Sequence, residues 1–320
     1  MVCRFLSPFL LALIFSFLAA CSSGKAASAF GNGTRDPNAP GGDAGDSFGG
    51  NGSGLPTGPG GDCSEAAKLV YVVSEEKDLY SFRPGSLAFT RIGAIQCPGT
   101  ASATPNSMAV DRSGFAWVNY SDGSLFRVST ADASCTSTAF TPGQHGFVKF
   151  GMAFSSNSPG SSDETLYVCG IVDGVVVGGG ENGLGTATID LSSMKLQPIG
   201  DFTGALKGQG AELTGTGDAR LFGFVTTKPA TVAEIAKSTA ATPTPQSLPG
   251  VSTGTAWAFS FWGGDFWFYT NDAVSSPGST SNVTRLKTAT DKSLSVVKQD
   301  IGFRIVGAGV STCAPTVPAK

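Results

Sequence analysis

One hairpin pattern, written five times along the chain, restricts the fold more than any other feature of the sequence. Each copy couples an alternating strand to a Ser/Thr/Asp-rich turn and a second short strand: 78–82 then Ser86-Leu87, 124–128 then 135–140, 186–189 then 194–199, 231–235 then 246–248, and 282–286 then 293–297. Apolar and polar residues that alternate in this way specify a strand with one buried face. A further pair of strands precedes four of the copies, at 107–110 with 115–119, 151–154 with 165–168, 212–214 with 220–225, and 256–259 with 265–269. Only 68–73 stands ahead of the first copy, and the missing strand appears at the far end of the chain, at 304–310. Residues 231–237 have the content of a helix, but their place in the series predicts a strand.

Four strands per repeat, at roughly 45 to 60 residues a repeat, describe a β-propeller. The expectation is an all-β ring of five four-stranded blades, closed by the C-terminal strand pairing into the first blade. Closure matters because an open ring leaves a sheet edge ready to pair with other chains. A β-sandwich is the rival arrangement, and six blades the alternative if the long third repeat holds two. Over residues 69–310 the repeat grammar resembles bacterial propellers of the lactonase and NHL-like kind, without a shared catalytic signature. A metal-dependent lactonase implies several carboxylates and amides converging on one divalent cation, such as calcium. Only Glu212 and Asn106 are candidates, too few for a metal site, so no cofactor is expected.

The cysteines fit an exported protein. Five of the seven, Cys63, Cys97, Cys135, Cys169 and Cys313, fall at 63–320, the expected extent of the domain, and none has zinc-ligand spacing. In an oxidising compartment two disulfides and one buried thiol is the simplest pairing, with five reduced core thiols as the alternative. Cys63 lies just before the first blade's second strand and Cys313 just after its first, so a bond between them would lock the ring shut. Cys97 with Cys135 follows by elimination, and Cys169, within the apolar stretch 166–171, is the candidate free thiol.

Residues 1–20 carry one early charge, Arg4, and an apolar run at 5–17 that is too short to span a membrane. They run into Cys21 through Leu18-Ala19-Ala20, and Leu18-Ala19-Ala20-Cys21 resembles the lipobox of bacterial lipoproteins. The resemblance implies removal of 1–20 and acylation of Cys21, and Ser22 in place of aspartate implies the outer membrane. An ordinary secretory peptide is the alternative. Residues 21–62, dominated by Gly, Ser, Ala, Asn, Asp and Pro, have almost nothing to bury and are expected to be a flexible tether. Its mean reach is on the order of 35 Å.

Catalytic sets are scarce. His145, the sole histidine, sits in the loop 142–146 with no Gly-x-Ser-x-Gly elbow and no visible orienting partner. The Gly-rich run 178–185 precedes a strand and not a helix, so it reads as an inter-strand loop and not as a phosphate cradle. Trp257, Trp262 and Trp267, with Phe259, Phe261, Phe266 and Phe268, read as core, except that Trp262, placed in a turn, is a candidate for stacking on sugar or polymer. The starts of the innermost strands carry Asn106, Lys149, Glu212, Thr255 and Arg304, a mixed polar ring at the expected mouth of a central channel.

A net charge of −3 with scattered Lys and Arg argues against nucleic acid as a partner. The favoured expectation is a non-enzymatic envelope lipoprotein, anchored to the membrane through Cys21, whose propeller binds or scaffolds a protein or glycan. The alternatives are a propeller hydrolase or lactonase using Glu212, helped by Lys149 and Arg304, and a purely structural surface protein.

Overall fold

The computed structural model describes residues 63–100, 102–172, 180, 182–271, 278–288 and 291–318. The expected signal peptide, the lipidation site Cys21 and the tether lie outside them. The described residues form five sheets of four antiparallel strands. The first blade holds β1 (Val70–Ser74), β2 (Asp78–Arg83) and β3 (Ala88–Ala94), and β20 (Ile305–Val310) completes it as its innermost strand. The second runs from β4 (Pro105–Val110) through β5 (Phe115–Tyr120) and β6 (Leu125–Ser129) to β7 (Cys135–Ser137). The third comprises β8 (Lys149–Ser156), β9 (Glu164–Val172), β10 (Asn182–Asp190) and β11 (Lys195–Gly200). The fourth comprises β12 (Glu212–Gly215), β13 (Leu221–Val225), β14 (Ala230–Glu234) and β15 (Gln246–Leu248). The fifth comprises β16 (Trp257–Trp262), β17 (Asp265–Thr270), β18 (Asn282–Lys287) and β19 (Leu294–Lys298).

The innermost strands β20, β4, β8, β12 and β16 each contact the next, and β16 returns to β20, so the sheets close into a ring. This is a five-bladed β-propeller. Neither the sandwich nor the six-bladed alternative stands, because the long third repeat holds a single four-stranded sheet. The C-terminal strand pairs antiparallel with β1, placing Val70 opposite Val310, Tyr71 opposite Gly309 and Val73 opposite Gly307. Pairing the two ends of the chain removes the edge that an unclosed ring would expose.

The core is divided among the five seams between blades. Tyr71, Val73 and Leu79 pack on Met108, Val110 and Val118 between the first and second blades. Phe222 and Phe224 meet Phe259, Phe261 and Phe268 between the fourth and fifth. Trp267 and Tyr269 meet Val70, Phe82 and Ile305 where the ring closes. A blade is covered on both faces, which is why β1, β13 and β17 are buried at every position although alternation suggested one buried face. Residues 231–234 are strand, as their place in the series required, since their partners are β13 and β15.

Both disulfides form as expected. Cys63 bonds Cys313 across a sequence separation of 250, and Cys97 bonds Cys135, while Cys169 belongs to neither disulfide and is buried in the seam between the third and fourth blades.

Three sequence readings are corrected. Ser86-Leu87 belong to the turn between β2 and β3, and the strand itself is Ala88–Ala94. That strand is outermost and largely solvated, so little alternation marks it. Within 178–185, residues 182–185 are not loop but the start of β10, which pairs with β9 across a bulge between Gly183 and Thr186. Residues 178, 179 and 181 lie outside the described residues. Trp262 is the last residue of β16 and not a turn residue.

Two glycines allow the innermost strands of the third and fourth blades to approach. A Cβ on Gly151 of β8 would lie 2.1 Å from the Ala211 carbonyl oxygen and 2.6 Å from the Glu212 Cα. A Cβ on Gly215 of β12 would lie 2.1 Å from the Phe154 carbonyl oxygen of β8. Each glycine thus makes room for the backbone of the facing strand, one near either end of the contact.

Candidate functional site

The innermost strands all start at one end of the ring, so the residues at and just before their starts converge there. Asn106, Lys149, Glu212 and Thr255 line a single cavity of about 190 Å³ at this mouth, together with Pro105, Ile171, Ala256, Trp257 and Val306. Arg304 joins the group through its guanidinium, which donates to the Thr255 hydroxyl at 3.1 Å and to the Glu75 carboxylate at 2.9 Å. All five channel-mouth residues anticipated from strand starts therefore come together.

Their surroundings differ in rigidity. Glu212 is 3% exposed, and its Oε2 accepts a hydrogen bond from the Ser107 hydroxyl at 2.7 Å, linking the second blade to the fourth across the channel. The Asn106 amide donates to Asn119 Oδ1 at 3.1 Å and to the Phe150 carbonyl at 3.3 Å. Buried Asn119 in turn donates to the Val148 carbonyl and accepts from the Phe150 amide, so one asparagine fixes the entry into β8. Thr255 is exposed, and its backbone N–H donates to Asn271 Oδ1 at 2.9 Å. Acid, base, amide and hydroxyl are thus held around one opening, with fixed groups below and a solvated rim above. Such a set can give and accept hydrogen bonds in several directions, as ligand sites require.

The other candidates are placed elsewhere. His145 is exposed in the loop before β8, in a left-handed conformation (φ 50°). The indole N–H of Trp262 donates to the Lys68 carbonyl at 2.7 Å, and the ring is partly buried beside Leu69, Pro84 and Pro315 in an apolar groove away from the mouth. Among the described residues, no group of three or more His, Cys, Asp or Glu side chains is arranged to hold a metal ion.

Sequence reasoning missed a cluster at the opposite end of the channel, where the innermost strands finish. Glu164 accepts from the Arg112 backbone N–H at 2.8 Å and from the Thr312 hydroxyl at 2.7 Å, and the Arg112 guanidinium reaches Thr312 at 3.1 Å and Cys63 Sγ at 3.4 Å. Burial pushes the Glu164 carboxyl up to about 7, against the opposing pull of these hydrogen bonds and with a further upward push from the Asp111 carboxylate. Its ordinary value is 4.5. Between those values the native state holds more protons than the unfolded chain, so this group's contribution makes stability fall as pH rises, by about 3 kcal/mol once the window is crossed. Glu164→Gln is expected to remove that fall. Urea unfolding of both proteins at pH 4.5 and pH 8 checks it, because the variant should gain on the wild type only at the higher pH.

No protein-family model matches the chain, and no curated protein is significantly similar to it. Solved structures are similar to it at low identity and low structural overlap. A protein of unknown function from Bacteroides caccae is 11% identical, with a TM-score of 0.38, over 75% of this chain and 97% of that one. A chain of a mitotic checkpoint complex is 14% identical, with a TM-score of 0.39, over 84% and 90%. The Pan2 WD40 domain of Neurospora crassa is 10% identical, with a TM-score of 0.38, over 77% and 66%. These likenesses lend nothing to the reading of the site.

Proposed function

We propose that this protein is a lipid-anchored component of a bacterial cell envelope, most simply the outer membrane, whose propeller is a binding or scaffold module for a protein or glycan. The location rests on Leu18-Ala19-Ala20-Cys21, on Ser22, and on a following segment poor in apolar residues. The binding role is carried by one observation: Asn106, Lys149, Glu212 and Thr255 surround one cavity, and Arg304 is bonded to its rim. Function on a rigid scaffold is commonly carried by a few side chains grafted at the ends of its elements.

The test is capture from solubilised envelopes on the immobilised chain from Ser22 onward. A partner retained by the wild type and lost from a Lys149→Ala, Arg304→Ala double variant is the expected result. Repeated failure to recover any protein or glycan, or equal retention by the double variant, would overturn the reading.

A further inference from the structure

We propose that the channel mouth takes an uncharged sugar ring, the terminal or exposed unit of a neutral glycan, seated against Trp257. The inference rests on the binding reading above and assigns that site its ligand chemistry. Its first ground is charge balance. Lys149 and Glu212 line the cavity, and Arg304 at its edge is paired with Glu75 at 2.9 Å, so two cations stand with two anions. An anionic or cationic ligand would bring a charge that this balanced set does not answer, and desolvating an unanswered charge works against binding.

The second ground is the variety of hydrogen-bonding groups. An amide at Asn106, a hydroxyl at Thr255, a carboxylate at Glu212 and cations at Lys149 and Arg304 include both donors and acceptors. Sugar hydroxyls also do both, so a hydroxyl-rich ligand matches the wall more completely than an apolar or a purely accepting one.

The third ground is Trp257, which sequence reading had assigned to the core. Its side chain packs against the phenylalanine-rich cluster between the fourth and fifth blades, yet it is partly exposed and borders the cavity. A partly exposed indole held against that cluster offers an apolar surface beside a polar rim, the combination that suits an amphipathic ring. Ile171 and Val306 extend the apolar part of the wall.

Saturation-transfer NMR and calorimetry on the chain from Ser22 onward, with maltose, cellobiose and lactose as neutral probes and glucuronate and glucosamine as charged ones, test this. At least one neutral disaccharide should bind with Kd of about 10 mM or tighter, and about tenfold more tightly than either charged probe. Trp257→Leu, which keeps an apolar side chain against the phenylalanine cluster, should abolish binding with the fold intact, and Trp257→Phe should retain most of it. Absence of binding by all neutral probes, preference for a charged one, or full binding by Trp257→Leu would overturn the inference. Envelope capture separates the two readings: a partner lost from the Lys149→Ala, Arg304→Ala variant but kept by Trp257→Leu leaves the binding role standing and removes the sugar.

Discussion

Replacing Gly151 with alanine is expected to destabilise the protein by about 4 kcal/mol or more, beyond the 1–3 kcal/mol of ordinary overpacking. The new methyl group would sit 2.1 Å from the Ala211 carbonyl oxygen and 2.6 Å from the Glu212 Cα. Both obstacles are backbone, so no side-chain rotation relieves them, and β8 and β12 must separate. A local sheet could bend away, but in a ring the displacement has to be absorbed by the remaining seams as well. Gly85→Ala is the control, since its added Cβ meets nothing within 4 Å. Equilibrium unfolding of both variants should show a large loss for the first and almost none for the second. Because the clash also falls on Glu212, whatever fraction of Gly151→Ala folds should show weakened binding at the proposed site.

The second large effect is expected from the closure disulfide. Cys63 and Cys313 are separated by 250 residues, so their bond constrains nearly the whole propeller in the unfolded chain. Chain-entropy arithmetic for a loop of that length gives about 5.5 kcal/mol, against about 4 kcal/mol for the Cys97–Cys135 bond, whose separation is 38. A Cys63→Ser, Cys313→Ser double variant should therefore lose more than a Cys97→Ser, Cys135→Ser one, and calorimetric melting of the two checks the order. The bond adds to a closure already made by β1 and β20, with Val70 opposite Val310 and Tyr71 opposite Gly309. The variant is thus expected to close at lower temperature and to open sooner on heating, with the first blade as the part that separates.

What could be read from sequence follows from where the information is local. Strands β5, β6 and β18 alternate or run apolar between turn residues within a short window, so their existence and number are legible. Several turns carry the same local chemistry, an aspartate carboxylate accepting the N–H two residues on, as at Asp122–Ser124, Asp132–Ser134, Asp190–Ser192 and Asp291–Ser293. The starts of the inner strands were equally legible, and with them Asn106, Lys149, Glu212, Thr255 and Arg304. Ala88–Ala94 was not, because an outermost strand in solvent needs no apolar face. Gly151, in the strand read at 151–154, and Gly215 carry no local sign of their role, which depends on a facing strand from another blade. Glu164 was invisible for the same reason: its partners Arg112 and Thr312 lie 52 and 148 residues away. Trp257 reads as core because it packs against the core cluster, although it is partly exposed.

The central claim is that binding occurs at the mouth where the inner strands begin and not at the end closed by the Cys63–Cys313 bond. The most direct measurement compares one captured envelope partner against variants of the two ends, each first shown to be folded. Affinity should fall at least about tenfold for Lys149→Ala with Arg304→Ala, and remain within about twofold of wild type for Arg112→Ala at the opposite end. Loss of affinity confined to Arg112→Ala would contradict the account.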